Sequence, residues 1–143
     1  MNLLTLRAFQ FVHPDFDSQG EPGMPLSLTG NLSLVEGHAA IRQSILILLS
    51  TVPGERVMRP QYGCDLHRLL FSPNDATTAG LAIHFVRRAI EQFERRVEIQ
   101  ELTAGPSASG SSGPPRLQVD LLYRVKATRR TDRITFHMSL AEE

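Results

Sequence analysis

Glu55 and Asp65 are the acidic side chains that could form the carboxylate pair of a glycoside hydrolase. They lie ten positions apart, a separation that two acids reach by chance in most sequences of this size. Glu55 also stands among Arg56 and Arg59, and neighbouring cations favour the charged form of a carboxyl group, which works against a general acid. The sequence therefore favours structural ion pairs over hydrolysis at Glu55.

Cys64 and His67 could pair as a thiolate and an imidazole. A predicted short helix begins just after Cys64, and its dipole would lower the pKa of the thiol. A nucleophile also needs an orienting group and oxyanion donors, and the sequence supplies neither. Cys64 is therefore predicted to be a small packed residue.

The histidines do not have the spacing of a metal site. Neither H-x-x-x-H nor H-E-x-x-H occurs among His13, His38, His67, His84 and His137. The phosphate-binding patterns G-x-x-x-x-G-K and G-x-G-x-x-G are also missing from the sequence. We therefore predict no catalytic residue, no metal site and no cofactor.

The 143 residues are 41% apolar and 21% charged, as in one soluble globular domain. The 15 basic and 15 acidic side chains cancel, so the net positive charge that favours nucleic-acid binding is lacking. Every basic residue except Lys126 is Arg, which is favoured at protein interfaces, although high genomic GC content gives the same bias. The single Cys excludes an internal disulfide. Without a signal-like start or a long apolar run, we expect a protein that is cytoplasmic when synthesised and has no membrane span.

Apolar residues at helical spacing predict two main helices. The first covers residues 36–51 and ends before a Pro-Gly dipeptide. The second covers about 73–95, and residues 72–75 resemble its capping box. Between them, residues 65–71 are long enough for two helical turns. The exposed face of the second helix is predicted to carry Arg87, Arg88, Glu91 and Glu94.

Strand patterns lie at both ends of the chain. Residues 3–12 predict a short strand or arm, and residues 26–35 predict two strand pieces or a hairpin. Residues 97–102 alternate between apolar and polar types and predict a further strand. Residues 117–125 and 134–140 alternate in the same way and predict a long antiparallel hairpin with one buried face.

These patterns predict a single α+β domain, with two main helices packed on a mainly antiparallel sheet that ends in a C-terminal β-hairpin. Residues 1–25 are interpreted as an N-terminal arm or leader and residues 26–143 as the domain. Within the domain, residues 104–115 are rich in Gly, Ser and Pro and are predicted to be a flexible linker.

The stretch at 53–64, Pro-Gly-Glu-Arg-Val-Met-Arg-Pro-Gln-Tyr-Gly-Cys, combines mixed charge with residues that restrict the backbone. We predict a loop that is held in one shape by its own ion pairs and presented for recognition. With Ile-Arg-Gln-Ser-Ile-Leu at 41–46 and Leu-Ser-Thr-Val at 49–52, it resembles the GPW-type baseplate wedge family. These are small "lysozyme-like" phage baseplate proteins with relatives in type VI secretion and extracellular contractile injection particles.

The resemblance implies a structural, non-enzymatic protein that joins baseplate wedges around the tube and initiates the contractile sheath, with six copies per particle. The implied partners are other baseplate wedge proteins, the innermost sheath ring and tube or hub proteins, without nucleic acid. A peptidoglycan hydrolase of the baseplate and a free regulatory adaptor of similar fold are the alternatives. Whether the particle is a phage, a type VI secretion system or an extracellular injector is open at this point.

The family's hallmark Glu, Pro and Arg correspond here to Glu55, Pro60 and either Arg56 or Arg59. The implied wedge contacts are Glu55, Arg56, Arg59 and Pro60. The residues predicted to shape the loop are Pro53, Gly54, Tyr62 and Gly63.

The C-terminal strand is predicted to bind sheath, because sheath subunits in such machines are joined by exchanged strands and an initiator would offer a compatible sheet edge. The predicted sheath-binding strand consists of Arg133, Ile134, Thr135, Phe136, His137, Met138, Ser139 and Leu140. The alternative is an ordinary edge strand of a closed sheet.

Overall fold

The computed structural model describes residues 6–13, 21–107 and 115–140. Parts of the predicted arm (1–5 and 14–20), part of the predicted linker (108–114) and the last three residues lie outside this description. The elements in chain order are β1 (Arg7–Phe9), β2 (Leu34–Glu36), α1 (Gly37–Ser50), a 3-10 helix (Asp65–Leu69), α2 (Ala76–Phe93), β3 (Val97–Pro106), β4 (Arg116–Val125) and β5 (Thr131–Ser139).

The predicted α+β architecture is confirmed, with β3, β4 and β5 forming an antiparallel sheet in that order. One face of the central strand is fully buried because every second residue is apolar. Those residues are Leu117, Val119, Leu121, Tyr123 and Val125, each at most 1% exposed. Helix α2 packs against β3, and α1 packs against α2, so helices and sheet share one core.

The predicted C-terminal hairpin is confirmed, with Leu117 opposite Met138 and Arg124 opposite Thr131. Strand β3 is longer than predicted because its pairing with β4 continues to Pro106, opposite Leu117. The prediction of a linker beginning at residue 104 was therefore wrong at its start. Backbone pairing with a neighbouring strand outweighed the flexible composition of Ala104 to Pro106.

Helix α1 is confirmed to within one residue at each end, but α2 begins later than predicted. Its N-cap is Asp75, whose Oδ1 accepts a 2.9 Å hydrogen bond from the Thr78 N–H. This bond also lowers the pKa of Asp75. The Thr78 hydroxyl donates to the Pro73 carbonyl at 2.6 Å. Pro73 therefore lies before the first helical residue, Ala76, and its carbonyl accepts this bond from outside the helix. Residues 65–71, predicted to be long enough for two helical turns, instead contain a shorter 3-10 helix at Asp65–Leu69.

Glu94 was predicted to lie on the exposed face of α2, and this was wrong, since its side chain is only 5% exposed. It follows the last residue of the helix and accepts two 2.6 Å hydrogen bonds from Arg96. The Ser44 hydroxyl of α1 donates a third at 2.8 Å. The hydrogen bonds to Glu94 raise the pKa of Arg96. A buried charge needs such a partner, and this pair joins the end of α2 to α1.

The N-terminal residues pair across the predicted 25/26 boundary, since β1 is antiparallel to β2, with Phe9 opposite Leu34. The side chain of Gln43 in α1 donates to the Phe9 carbonyl at 2.7 Å and accepts from the Phe11 N–H at 2.8 Å. The side chain of Gln43 thus attaches β1 and the residues just after it to α1 by binding their backbone groups. Within the described ranges, none of the helices is long and apolar enough to cross a membrane.

Candidate docking loop

Residues 52–63 form a closed loop between α1 and the 3-10 helix, and we call this segment the docking loop. Helix α1 ends at Ser50, and the next residue, Thr51, is buried. The Cys64 N–H donates to the Thr51 carbonyl at 2.9 Å, so the chain leaves and re-enters the core at one point. Compact surface loops of this length whose ends meet are frequently functional.

Backbone turns give the docking loop its shape. The N–H of Glu55 donates to the carbonyl of Val52 at 3.1 Å. The N–H of Arg59 donates to the carbonyl of Arg56 at 3.2 Å, and the N–H of Tyr62 donates to the carbonyl of Arg59 at 3.1 Å. Each bond joins a residue to the one three positions earlier, which defines a β-turn. Successive turns hold the loop without any strand or helix.

The Glu55 carboxylate binds backbone and not the neighbouring Arg side chains. Its Oε2 accepts a 3.0 Å hydrogen bond from the Val52 N–H. The ion pairs found among the described residues do not include Glu55, Arg56 or Arg59, so the prediction of a loop held by its own ion pairs was wrong. An exposed ion pair contributes only about 0–1 kcal/mol, less than a charged hydrogen bond that completes a turn.

Tyr62 attaches the docking loop to helix α2. Its ring lies 5.2 Å from the Phe93 ring, centroid to centroid, at a tilt of 60°. The Arg56 guanidinium carbon lies 4.3 Å from the centroid of the Tyr62 ring, within the range of a cation–π contact. Burial raises the pKa of Tyr62, and the positive charge of Arg56 acts in the opposite direction. The loop is therefore held at one side by ring contacts that pack against the core.

Gly63 permits the closure of the docking loop. It is buried, its φ is +138°, and a Cβ atom there would lie 2.5 Å from the Thr51 carbonyl oxygen and 2.9 Å from the Pro53 nitrogen. Both neighbours are backbone atoms, so no side chain can move aside. Gly54 also has positive φ, +97°, but a Cβ atom there would meet nothing within 4 Å.

Cys64, the first residue after the docking loop, is 3% exposed and belongs to the core. Burial raises the pKa of its thiol to about 11, which keeps it protonated near neutral pH. The helix-dipole effect considered from the sequence is thus outweighed by desolvation. This environment favours packing over nucleophilic chemistry. Among the described residues, no group of His, Cys, Asp and Glu could hold a metal ion.

The apex of the docking loop carries two exposed apolar residues that were not among the predicted site residues. Val57 is 93% exposed and Met58 is 90% exposed, between the exposed Arg56 and Arg59. The sequence did contain a signal for them: two apolar residues between two Arg in a predicted loop cannot be buried in the core and are therefore available to a partner. Beside the apex, Pro53 and Pro60 line an open groove of about 450 Å³ whose opposite wall includes Phe85 and Arg88 of α2.

The predicted sheath-binding strand corresponds to β5, apart from Leu140, which follows the last strand residue. Ile134, Phe136 and Leu140 are buried, whereas Thr135 and His137 are exposed. Among the described residues, strand β5 pairs with β4 alone and is therefore an edge of the sheet. The docking loop and the β5 edge are thus separate surfaces on one core.

Exposed apolar side chains and Arg on a fixed loop are typical of protein-binding surfaces. The fold and this loop define the molecule as a small α+β protein whose candidate site has the composition of a protein-binding surface. Comparison with known sequences agrees, because the chain belongs to the family "Baseplate wedge protein gp25", whose sequence profile matches residues 35–130. The matched range contains α1, the docking loop and α2.

Individual proteins of known sequence or structure are also similar to this chain. The baseplate wedge protein gp25 of Enterobacteria phage T4 is 28% identical over 78 residues, or 54% of this chain, and the match spans 59% of that protein's length. A Geobacter sulfurreducens protein, provisionally called a tail lysozyme, is 35% identical with a TM-score of 0.65, covering 85% of this chain and 99% of that one. A chain of the anti-feeding prophage baseplate shares the fold, at 21% identity, a TM-score of 0.62 and coverage of 94% and 88%.

The closure of the docking loop can be tested by substituting its glycines. We expect Gly63→Ala to lower the free energy of unfolding by about 2–5 kcal/mol, because the new Cβ would overlap fixed backbone at a positive φ. The matched control is Gly54→Ala, which has the unfavourable φ without the overlap and should cost about 1–2 kcal/mol. Urea unfolding measures both, and equal losses would show that close approach at Gly63 does not hold the loop.

Proposed function

We propose that this protein is a non-enzymatic baseplate component that links wedges around the tube and initiates sheath assembly. The observation that carries the proposal is the docking loop, a rigid loop with an apolar and cationic apex. Two separate binding surfaces are what a linking component requires. The docking loop serves wedge proteins, and the β5 edge serves the innermost sheath ring.

The docking loop supports a wedge contact because of its composition and its fixed shape. Val57 and Met58 expose apolar surface whose burial is worth about 1.5–3 kcal/mol for each side chain. Arg56 and Arg59 add a residue type that is enriched among the energetic hot spots of interfaces. Because the loop is closed by Gly63, little conformational entropy is lost when a partner binds.

In this proposal Glu55 acts on the wedge contact indirectly. Its carboxylate is bonded to the Val52 N–H and fixes the first turn of the loop, so it positions the Arg side chains that follow. Pro60 is exposed, lines the groove, and fixes the backbone on the other side of the apex. The hallmark residues thus combine loop shape with direct contact.

The copy number is proposed from the symmetry of a related particle. The anti-feeding prophage baseplate that contains a chain of this fold was obtained with six-fold symmetry. Six copies of the present protein around a tube would place one docking loop at each wedge. Tube or hub proteins are further contacts in such a ring.

The sheath contact is proposed at β5 because it is an edge strand. An edge presents unpaired backbone N–H and C=O groups, to which an extended segment of another protein can add as a new strand. Ile134 and Phe136 of β5 face the core whereas Thr135 and His137 face solvent, so an added strand would continue an ordered two-sided sheet.

The absence of enzymatic activity is part of the proposal. The name of the Geobacter relative suggests a lysozyme, which would need a carboxylic acid and a second carboxylate beside a bound sugar. Glu55 is exposed and engaged with loop backbone, an arrangement that suits a structural role. Arg56 and Arg59 on either side of the apex favour protein contact over sugar binding.

Removal of the two loop cations tests the wedge contact. We expect Arg56→Ala/Arg59→Ala to fold and to lose affinity for baseplate wedges by about 30-fold or more, the equivalent of one interface hot spot of about 2 kcal/mol. The matched control, Arg87→Ala/Arg130→Ala, removes the same charge from exposed positions outside the loop. Co-purification with wedge proteins is the measurement, and wild-type recovery of the loop variant would refute the role of the docking loop.

A proline on the outer edge of β5 tests the sheath contact. We expect His137→Pro to enter baseplates normally but to leave them without sheath, because proline removes a backbone donor from the edge. Proline is tolerated on an edge strand when the lost N–H faces solvent, so folding should be retained, which circular dichroism can verify. Electron micrographs of normal sheath on this variant would contradict strand addition at β5.

A wall-clearing assay tests the absence of activity. Purified peptidoglycan incubated with the wild-type protein should keep its turbidity, and Glu55→Gln should behave identically. Clearing by the wild type that is lost in Glu55→Gln would replace the structural interpretation with the hydrolase one.

A further inference from the structure

The backbone of β5 has two sides, one bonded to β4 and one directed outward. The Leu140 N–H donates to the Pro115 carbonyl at 3.1 Å, and the Val125 N–H donates to the Arg130 carbonyl at 2.8 Å. Even-numbered residues at both ends of the β4–β5 ladder therefore direct their backbone groups toward β4. Since hydrogen-bonded and non-bonded pairs alternate in an antiparallel ladder, the odd-numbered residues of β5 direct theirs to the outer edge.

Arg133, one of these odd-numbered residues, has both outward groups occupied. Its N–H donates to Oδ1 of Asp132 at 2.8 Å. Its carbonyl accepts a 2.7 Å hydrogen bond from Nη1 of Arg42, which reaches it from helix α1. An added strand would need both of these groups, so the edge is closed at this residue.

The two closing side chains also bind each other and the core. Nη1 of Arg42 lies 3.6 Å from Oδ2 of Asp132. The same Oδ2 accepts a 3.1 Å hydrogen bond from the hydroxyl of Tyr123, whose side chain is fully buried on β4. We call Arg42 and Asp132 the edge clasp. Because a buried hydroxyl orients Asp132, the clasp is built on the core and is more than a chance surface pair.

The edge beyond the clasp is open for a short distance. Thr135 and His137 are exposed, and each presents one outward N–H and one outward carbonyl. In the described part of the chain, β5 has no strand on that side. The strand ends at Ser139, and the carbonyl of the next residue, Leu140, accepts a 2.8 Å hydrogen bond from the Phe71 N–H.

We propose that the edge clasp closes the Arg133 end of the β5 edge and confines strand addition to the segment from Thr135 onward. The partner that fits is a short extended peptide segment that pairs with Thr135 and His137 and stops at Arg42. This inference rests on the proposed function, since it assumes that β5 receives a strand. It narrows the predicted sheath-binding strand by removing its first two residues from the contact.

The clasp has a second consequence before assembly. A free edge strand can pair with the same strand of another copy, and natural proteins block such edges with charged groups. Closing Arg133 shortens the accessible edge to a length that supports few hydrogen bonds between two copies. The sheath-binding strand can therefore stay available without joining free copies of the protein to one another.

A proline at Arg133, compared with one at His137, tests where pairing begins. Arg133→Pro removes an outward N–H that the clasp already occupies, so sheath should assemble as on wild-type baseplates, whereas His137→Pro should lose it. Loss of sheath from a folded, baseplate-bound Arg133→Pro protein would overturn the proposal. If neither variant loses sheath, strand addition at β5 is wrong. The edge clasp is then tested only by the self-association of the purified chain.

Opening the clasp in the purified chain tests it without any sheath. We expect Arg42→Ala to self-associate at about tenfold lower concentration than wild type, the change expected from one or two additional intermolecular hydrogen bonds. Sedimentation velocity measures this, and adding Arg133→Pro should restore wild-type behaviour. The control is Arg124→Ala, which breaks the 2.7 Å pair with Glu98 in the same sheet but away from the outer edge. Self-association of Arg42→Ala equal to that of wild type, or matched by Arg124→Ala, would overturn the clasp.

Discussion

The close approach of Gly63 to the backbone of Thr51 and Pro53 is the constraint on which the candidate site depends. It allows the chain to leave the core at the end of α1 and to return beside the same residue. The docking loop can then consist of turns alone, because its two ends are already fixed. The same closure delivers Cys64 and Leu66 into the core directly after the loop.

The closed loop is connected to both helices by side-chain packing and hydrogen bonds. The Tyr62 ring packs at a tilt against Phe93 at the end of α2, and the next residue, Glu94, is held by Arg96 and by Ser44 of α1. The loop, both helices and the start of β3 therefore meet around one buried carboxylate. A partner bound at the loop apex would contact a surface that is continuous with the core.

The two proposed binding surfaces use different physics. The docking loop offers exposed side chains on a fixed backbone, whereas β5 offers backbone groups whose availability is set by the edge clasp. Side chains can distinguish one partner from another, and backbone groups accept any extended segment of suitable length. In the proposed linking role, the first surface would supply selectivity and the second a defined start for strand addition.

The sequence by itself determined the two helices, the β4–β5 hairpin, the position of the loop and the family, because these are recorded in short-range periodicity and in a contiguous motif. Only the tertiary structure decided that Glu94 is buried, that Glu55 binds backbone in preference to Arg, and that β3 continues through Pro106. It also brought Arg42 to the carbonyl of Arg133, 91 positions away. Such pairings depend on how whole elements pack against each other, and local residue patterns contain no information about contacts between residues that far apart in the sequence.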